Sequence, residues 1–115
     1  MNFLTYYEHI WLDDFRLPHP SDLGGDRIVW VKTYDSFVKE VKSLGENISL
    51  CKVHFDHDLG EEKSGYDCAK FLVEWCMENG YEVPDYGIQS RNPVGRKNIQ
   101  SIFETYNKVK ENEDH

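Results

Sequence analysis

Short apolar runs alternate along this chain with longer segments whose apolar residues recur at helical spacing. Residues 9–12, 28–31 and 48–55 are rich in β-branched and aromatic residues and predict three strands. Residues 86–90 predict a shorter fourth strand, and residues 17–25, with two prolines and a double glycine, predict a loop. Strands that alternate with helices favour an α/β domain with a parallel sheet and right-handed crossovers.

The ends of three helices can be recognised from their capping residues. Thr33 is expected to cap the first helix and Gly45 to end it. The second helix is expected to start at Ser64, three residues before an acid, and to end before Gly80. Asn92, followed by proline, opens the third.

The composition indicates one globular domain. In a chain of 115 residues, 39% are hydrophobic and 14% aromatic, which suits a packed core over residues 8–110. Residues 111–115 read as an acidic, frayed tail. The net charge of -8 argues against an extended surface for duplex DNA, because binding there depends on neutralising phosphates. A local site for one phosphate group remains compatible with this charge.

The cysteines and the apolar segments indicate a cytoplasmic location. Cys51, Cys68 and Cys76 are odd in number and lack the CxxC spacing, so we expect small core residues and no disulfide framework. The first residues lack the basic flank and long apolar run of a secretory signal. No window approaches the roughly 18 apolar residues of a membrane span. We therefore expect no membrane association.

Acidic residues follow two of the predicted strands. Asp13 and Asp14 come after the first strand, and Asp56 and Asp58 come at the end of the third. Parallel strands end at the same edge of a sheet, so these carboxylates are expected to be neighbours and to repel one another unless a cation lies among them. Oxygen ligands of this kind suit Mg²⁺, with Mn²⁺ or Ca²⁺ as alternatives. The other interpretation, exposed loop acids paired with nearby basic residues, stays open.

Two histidines in the same stretch raise the question of a softer metal. His57 lies between two acids, and we expect it to form hydrogen bonds or transfer protons; His54 is expected to be a core or sheet residue. No third nitrogen or thiolate has suitable local spacing, which disfavours zinc.

The start of the third helix has the features of an anion site. A helix N-terminus presents free N–H groups, and here it is combined with the Ser90 hydroxyl, the Asn92 amide, Gly95 in the first turn and three cations that include Arg91 and Arg96. A first-turn glycine disfavours the helix and basic residues there oppose its dipole, so local stability does not explain them. The sequence favours a phosphate cradle. The alternative is a capped surface helix whose cations pair with acids.

Several segments together resemble a known family. The acids resemble the pocket of response-regulator receiver domains, although no threonine ends the fourth strand and no fifth strand with its lysine is evident. The closer resemblance is to the cyclic-phosphate processing receiver domains, from residue 10 to about 106. Gln89 stands where that family's pattern has histidine. The matching segments are Trp11-Leu12-Asp13-Asp14-Phe15-Arg16, Val29-Trp30-Val31, Asp56-His57-Asp58-Leu59-Gly60, Gly65-Tyr66-Asp67 and Gln89-Ser90-Arg91-Asn92-Pro93-Val94-Gly95-Arg96.

The resemblance implies a fold and a function. The fold is a minimal receiver-like (flavodoxin-like) three-layer α/β sandwich with a parallel sheet of about four strands in the order 2-1-3-4. The function is metal-dependent binding, with processing as a further step, of a cyclic-phosphate or other phosphorylated nucleotide or RNA-end ligand. The implied residues are Asp13, Asp14 and Asp56 for the metal; Ser90, Asn92, Gly95, Arg96 and Arg16 for the phosphate; and Asp56, His57 and Asp58 for catalysis.

Two other functions stay open from the sequence. The chain could be a stand-alone phospho-acceptor in which Asp56 takes the phosphate, although the missing fifth-strand lysine counts against this. It could also be a non-catalytic interaction or inhibitor protein that keeps the pocket without turnover, for which Gln89 and the acidic charge are mild support.

Overall fold

The computed structural model describes residues 8–15 and 27–113 of the chain. Four strands alternate with three α-helices, and a short 3-10 helix precedes the third strand. In chain order the elements are β1 (Glu8–Leu12), β2 (Arg27–Val31), α1 (Tyr34–Leu44), the 3-10 helix (Gly45–Leu50), β3 (Cys51–Phe55), α2 (Gly65–Asn79), β4 (Asp85–Ile88) and α3 (Pro93–Glu113).

The four strands form one parallel sheet in the order β2-β1-β3-β4, which confirms the predicted order. Leu12 at the end of β1 pairs with Val31 of β2 and with Phe55 of β3. Phe55 in turn pairs with Ile88 at the end of β4. The carboxyl ends of all four strands therefore meet at the same edge of the sheet, where parallel α/β sheets place their ligand sites.

One face of the sheet carries the hydrophobic core. Side chains alternate along a strand, so Leu12 and Phe55 lie on this face, and both are fully buried. The Phe55 ring contacts Phe37 of α1 and Phe103 of α3, with centroid distances of 5.9 and 5.8 Å. Cys68 and Leu72 of α2 belong to the same core cluster, so the three described helices lie on this one face. The receiver-like α/β fold is confirmed, and the described part of the predicted three-layer sandwich consists of the sheet and one helical layer.

The other face of the sheet carries a group of aromatic nitrogen rings. His9 Nδ1 lies 2.9 Å from His54 Nε2, and the Trp11 ring lies 4.9 Å from the His54 ring, centroid to centroid. His54 is only 7% exposed. Burial, followed by the charges of His9 and Lys52, lowers the pKa of His54 to about 4. His54 is a sheet residue, as predicted.

The predicted helix ends are confirmed. Thr33 Oγ1 accepts a hydrogen bond from the backbone N–H of Ser36, which caps α1. Ser64 donates its backbone N–H to Asp67 Oδ2 at the start of α2, and Gly80 ends that helix with φ of 72°. These bonds satisfy backbone groups that helix ends otherwise leave without partners.

Two predicted boundaries are wrong. The strand predicted over 48–55 starts at Cys51, because Gly45–Leu50 forms a 3-10 helix. Ile48 is fully buried in that helix, so an apolar run rich in β-branched residues did not distinguish a buried turn from a strand. The strand predicted over 86–90 spans Asp85–Ile88 and so ends earlier than expected. α3 continues to Glu113, and the frayed tail over 111–115 stays a prediction. Arg16 and the predicted loop over 17–25 lie outside the described residues.

The three cysteines are core residues, as predicted. All three are buried free thiols. Burial raises the pKa of Cys76 to about 11, which keeps this thiol protonated at neutral pH. In the part of the chain that the structure describes, none of the helices has both the length and the apolar character needed to span a bilayer.

We expect His54 to make stability depend on pH. Its pKa is lower in the folded protein than in the unfolded chain, so the unfolded state binds the extra proton. The contribution of His54 to the free energy of unfolding is therefore fully present above about pH 6.5 and is lost as the pH falls toward 4. Allowing for partial solvent screening, we expect His54→Gln to remove about 1–2 kcal/mol of this pH dependence. Urea unfolding of wild type and variant at pH 7 and pH 4.5 measures it, and parallel pH profiles would contradict it.

Candidate metal and phosphate site

The acidic residues meet at the carboxyl edge of the sheet because strand pairing continues past the strand ends. Asp13 donates its backbone N–H to the carbonyl of Val31, and Asp56 donates to the carbonyl of Leu12, each at 3.1 Å. These bonds keep residues 13 and 56 in register beyond β1 and β3. One carboxylate oxygen from each of Asp13, Asp14 and Asp56 lies within 4.8 Å of the other two. The predicted meeting of these acids is confirmed.

The three carboxylates form a donor set that fits a hard divalent ion. Ca²⁺–oxygen bonds of about 2.3–2.6 Å put two ligand oxygens at most about 5 Å apart, and the spacing of up to 4.8 Å is within that limit. Mg²⁺, with bonds of about 2.0–2.1 Å, would draw the oxygens to within about 4.2 Å of one another. Asp13 is buried, Asp56 is half-buried and Asp14 is exposed. Burial raises the pKa of Asp56, the charge of Asp13 raises it further, and the His57 backbone N–H opposes the shift. A cation at this position would relieve the repulsion.

Asp13 is held by hydrogen bonds to both its side chain and its backbone. Its Oδ1 accepts the backbone N–H of Phe15 at 2.9 Å. Its carbonyl accepts the indole N–H of Trp30 at 2.7 Å, so the edge strand β2 also contributes to the site. The Lys32 ammonium lies 4.3 Å from the centroid of the Trp30 ring. The turn that carries the first acidic pair is thereby fixed from two sides.

The loop after β3 depends on two glycines. Gly65 donates its N–H to the carbonyl of His57 at 2.8 Å, and a Cβ at position 65 would lie 1.9 Å from the carbonyl oxygen of Asp56. Gly60 has a φ of 69°, and a Cβ there would lie 3.0 Å from Asp14 Oδ2. The loop therefore wraps closely around the acidic cluster.

His57 and Asp58 form a side-chain pair next to the cluster. His57 Nδ1 lies 3.1 Å from Asp58 Oδ1, and the two side chains are 20% and 72% exposed. A Cβ at Gly95 would lie 2.4 Å from His57 Cγ, so the His57 ring packs against the first turn of α3. Gly95 thus has a packing role that the sequence did not reveal.

The start of α3 is held by its own capping bonds. Asn92 Oδ1 accepts the N–H groups of Val94 and Gly95, each at 3.1 Å. Ser90 is buried, and its Oγ accepts the backbone N–H of Asn92. Arg96 Nη1 donates to the carbonyls of Ile88 and Ser90, at 3.1 and 3.2 Å. The guanidinium of Arg96 therefore braces the β4–α3 loop, and its predicted contact with phosphate stays a prediction.

A cleft of about 260 Å³ joins the acidic cluster to this loop. It brings together five of the predicted residues: Asp13, Asp56, Asp58, Ser90 and Asn92. Three others were not chosen from the sequence as ligand contacts: Phe15, Gln89 and Arg91. Arg91 lies beside Ser90 among the cations noted at this helix start, but no sequence signal separated it from Arg96. Gln89 donates its side-chain amide to the carbonyl of Leu12 at 3.2 Å.

Substitution of Gly65 tests the close packing of this loop. We expect Gly65→Ala to destabilise the fold by about 2 kcal/mol or more, because the new methyl group overlaps backbone that cannot easily shift. Gly87→Ala is the matched control, since its Cβ would meet only side-chain atoms at 3.6 Å. Urea unfolding of both variants measures the difference. Equal stability of the two would contradict the assigned contact.

Neutralising Asp56 tests the repulsion within the cluster. Without divalent ions, we expect Asp56→Asn to stabilise the protein by about 0.5–1 kcal/mol, because one negative charge is removed while Oδ1 remains an acceptor for His57. Asp85→Asn, an exposed acid at the opposite end of β4, is the control. Thermal unfolding in a chelator measures both variants. A lower midpoint for Asp56→Asn would show that the carboxylate stabilises the metal-free fold.

Comparison with known proteins agrees with this geometry. No curated protein and no solved structure matches the chain. The sequence model of the cyclic-phosphate processing receiver domain matches residues 8–105. This range includes the whole sheet, the acidic residues that follow β1 and β3, and the residues that line the cleft. The chain therefore belongs to the cyclic-phosphate processing receiver domain family.

Proposed function

We propose that this domain binds, and hydrolyses, a cyclic-phosphate or related phosphorylated nucleotide or RNA-end ligand with the help of a divalent metal ion. The observation that carries the proposal is the single cleft in which Asp13 and Asp56 face Ser90, Arg91 and Asn92. A phosphate group needs both a cation and hydrogen-bond donors, and this cleft can offer the two side by side. Family membership supports the cyclic form of the phosphate.

Asp13, Asp14 and Asp56 would hold the metal, for which Mg²⁺ is our first choice because it commonly shares its coordination shell with phosphate oxygens. When bound, the ion supplies positive charge that polarises a phosphoryl oxygen. One ligand, Asp13, is held in place before the ion arrives by the bonds from Trp30 and Phe15. Fixing a ligand in advance lowers the cost of ordering it on binding.

The phosphate would be bound by donors of the β4–α3 loop. Arg91 lines the cleft, is exposed and has no hydrogen bond or ion pair among the described residues. The Asn92 Oδ1 is occupied by capping, which leaves its Nδ2 as a donor, and the Ser90 hydroxyl hydrogen is likewise available. We retain Gly95, Arg96 and Arg16 as secondary contacts. Of these, Arg96 and Gly95 would act mainly by shaping the loop.

Hydrolysis of a cyclic phosphate consumes one water molecule. The water oxygen forms a bond to phosphorus, one ring P–O bond breaks, and the leaving oxygen takes up a proton. Asp58 lies in the cleft and would accept the proton of the attacking water. His57 is hydrogen-bonded to Asp58. It would orient this carboxylate and share the proton that Asp58 accepts from the water. Gln89 stands where the family's pattern has histidine. Because an amide does not transfer protons near neutral pH, Gln89 would contact the ligand and take no part in proton transfer.

We place the protein in the cytoplasm with a small phosphorylated ligand or an RNA end as its partner. Three buried free thiols suit a reducing compartment. The net charge of -8 disfavours long nucleic acids and fits a ligand whose charge is neutralised locally.

Binding and turnover can be tested separately with adenosine 2′,3′-cyclic phosphate. We expect thermal stabilisation by Mg²⁺ and ligand together, worth about 2.7 kcal/mol at a hundred times the dissociation constant. Asp13→Asn should abolish the response, and Asp85→Asn should leave it intact. In ³¹P NMR the ring-opened monophosphate should appear with wild type, while Asp58→Asn should keep binding and slow turnover about 10²–10⁴-fold.

The same measurements separate the alternatives. No stabilisation by Mg²⁺, Mn²⁺ or Ca²⁺, with or without ligand, would overturn the proposal. Metal-dependent binding without ring opening would indicate a non-catalytic interaction protein.

A further inference from the structure

We propose that Phe15 is the nucleobase platform of this cleft, so that the site selects cyclic phosphates that carry a base over those that do not. This inference rests on the proposed function of the same cleft, and it identifies the part of the ligand beyond the phosphate. It starts from an apolar side chain whose position packing does not explain.

Phe15 is the most exposed large hydrophobic side chain in the described residues, at 81%, ahead of Val94 at 68%. An exposed phenyl ring contributes almost nothing to the core, because the hydrophobic effect follows the area removed from water. Its backbone is nevertheless fixed, since the Phe15 N–H is bonded to Asp13 Oδ1 at 2.9 Å. The ring is therefore anchored beside the acidic cluster while its side chain remains available.

The surroundings of the ring limit what it can bind. Phe15 is the one apolar residue among the described residues that line the cleft; the others are acids, amides, a hydroxyl and Arg91. A protein hot spot normally has further apolar residues around its aromatic anchor, and a lipid surface is disfavoured by the adjacent carboxylates. A single aromatic ring with a polar rim suits a flat, partly polar ring system such as a nucleobase, which stacks on its face.

The size of the cleft agrees with one nucleotide. Its volume of about 260 Å³ is close to the roughly 300 Å³ at which small-ligand sites begin. In a nucleoside cyclic phosphate a single ribose joins the base to the phosphate. A phosphate between Asp56 and Arg91 can therefore have its base on Phe15 without leaving the cleft. Phe15 would thus act as a specificity-determining residue and take no part in the chemical step.

The test compares two ligands in the presence of Mg²⁺: adenosine 2′,3′-cyclic phosphate and the same sugar cyclic phosphate with hydrogen in place of the base. Binding is measured by calorimetry in an Asp58→Asn background, where turnover is slow. We expect Phe15→Leu to weaken binding of the nucleotide roughly fivefold to a hundredfold, the range measured for base–aromatic stacking, and to leave the base-free ligand within about twofold. Phe15→Trp should retain nucleotide binding.

Two further readouts separate stacking from a structural effect. In ¹H NMR the adenine H2 and H8 signals should move upfield on binding, through the ring current of Phe15, and this shift should be reduced by Phe15→Leu. Thermal stability should not change, because the side chain is exposed. Met77→Ala, at another exposed apolar residue, is the control and should alter neither ligand's affinity.

The outcomes distinguish this inference from the function on which it rests. If wild type binds both ligands equally, or if Phe15→Leu weakens both alike, the base platform is overturned and the metal-dependent phosphate site stands. If wild type binds neither ligand with any of the three metal ions, the proposed function is overturned and the inference with it.

Discussion

Mutual repulsion among three carboxylates is the constraint to which the rest of the site responds. Asp13, Asp14 and Asp56 come within 4.8 Å of one another at the end of the sheet, and the raised pKa of Asp56 reflects both its burial and its acidic neighbours. Flexible acids would move apart, but here the strand ladder and the close approach of Gly65 leave them little freedom. The fold thus maintains a local concentration of negative charge, at some cost to its own stability.

The fold could largely be predicted because its signals are local and agree with one another. Capping residues such as Thr33 and Ser64 mark helix starts with single side chains, and the parallel order of strands follows from their alternation with helices. The meeting of Asp13 and Asp56 follows from that topology alone. The start of β3 could not be predicted, because Ile48 is equally apolar and equally buried in a 3-10 helix.

The candidate site was predicted less completely, because its details depend on which way neighbouring side chains point. Arg91 and Arg96 carry the same charge, and both lie within four residues of the helix cap Asn92. Only the loop geometry shows that Arg96 is bound to two carbonyls while Arg91 lines the cleft. Gly95 was predicted from its unfavourable place in a helix, which is a sound signal of a special role. Its packing against His57 could be seen only in three dimensions.

The bond from Trp30 to the carbonyl of Asp13 gives β2, at the edge of the sheet, a part in building the candidate site. Trp30 lies in β2 and touches no proposed ligand, and its ring is more than a third exposed, so it is not needed to fill the core. Its indole N–H nevertheless supports the peptide that presents the first acidic pair. Among relatives, tryptophan should accordingly be retained at this position where the acids are retained. In a chain that has other residues in place of the acids, this position should vary as well.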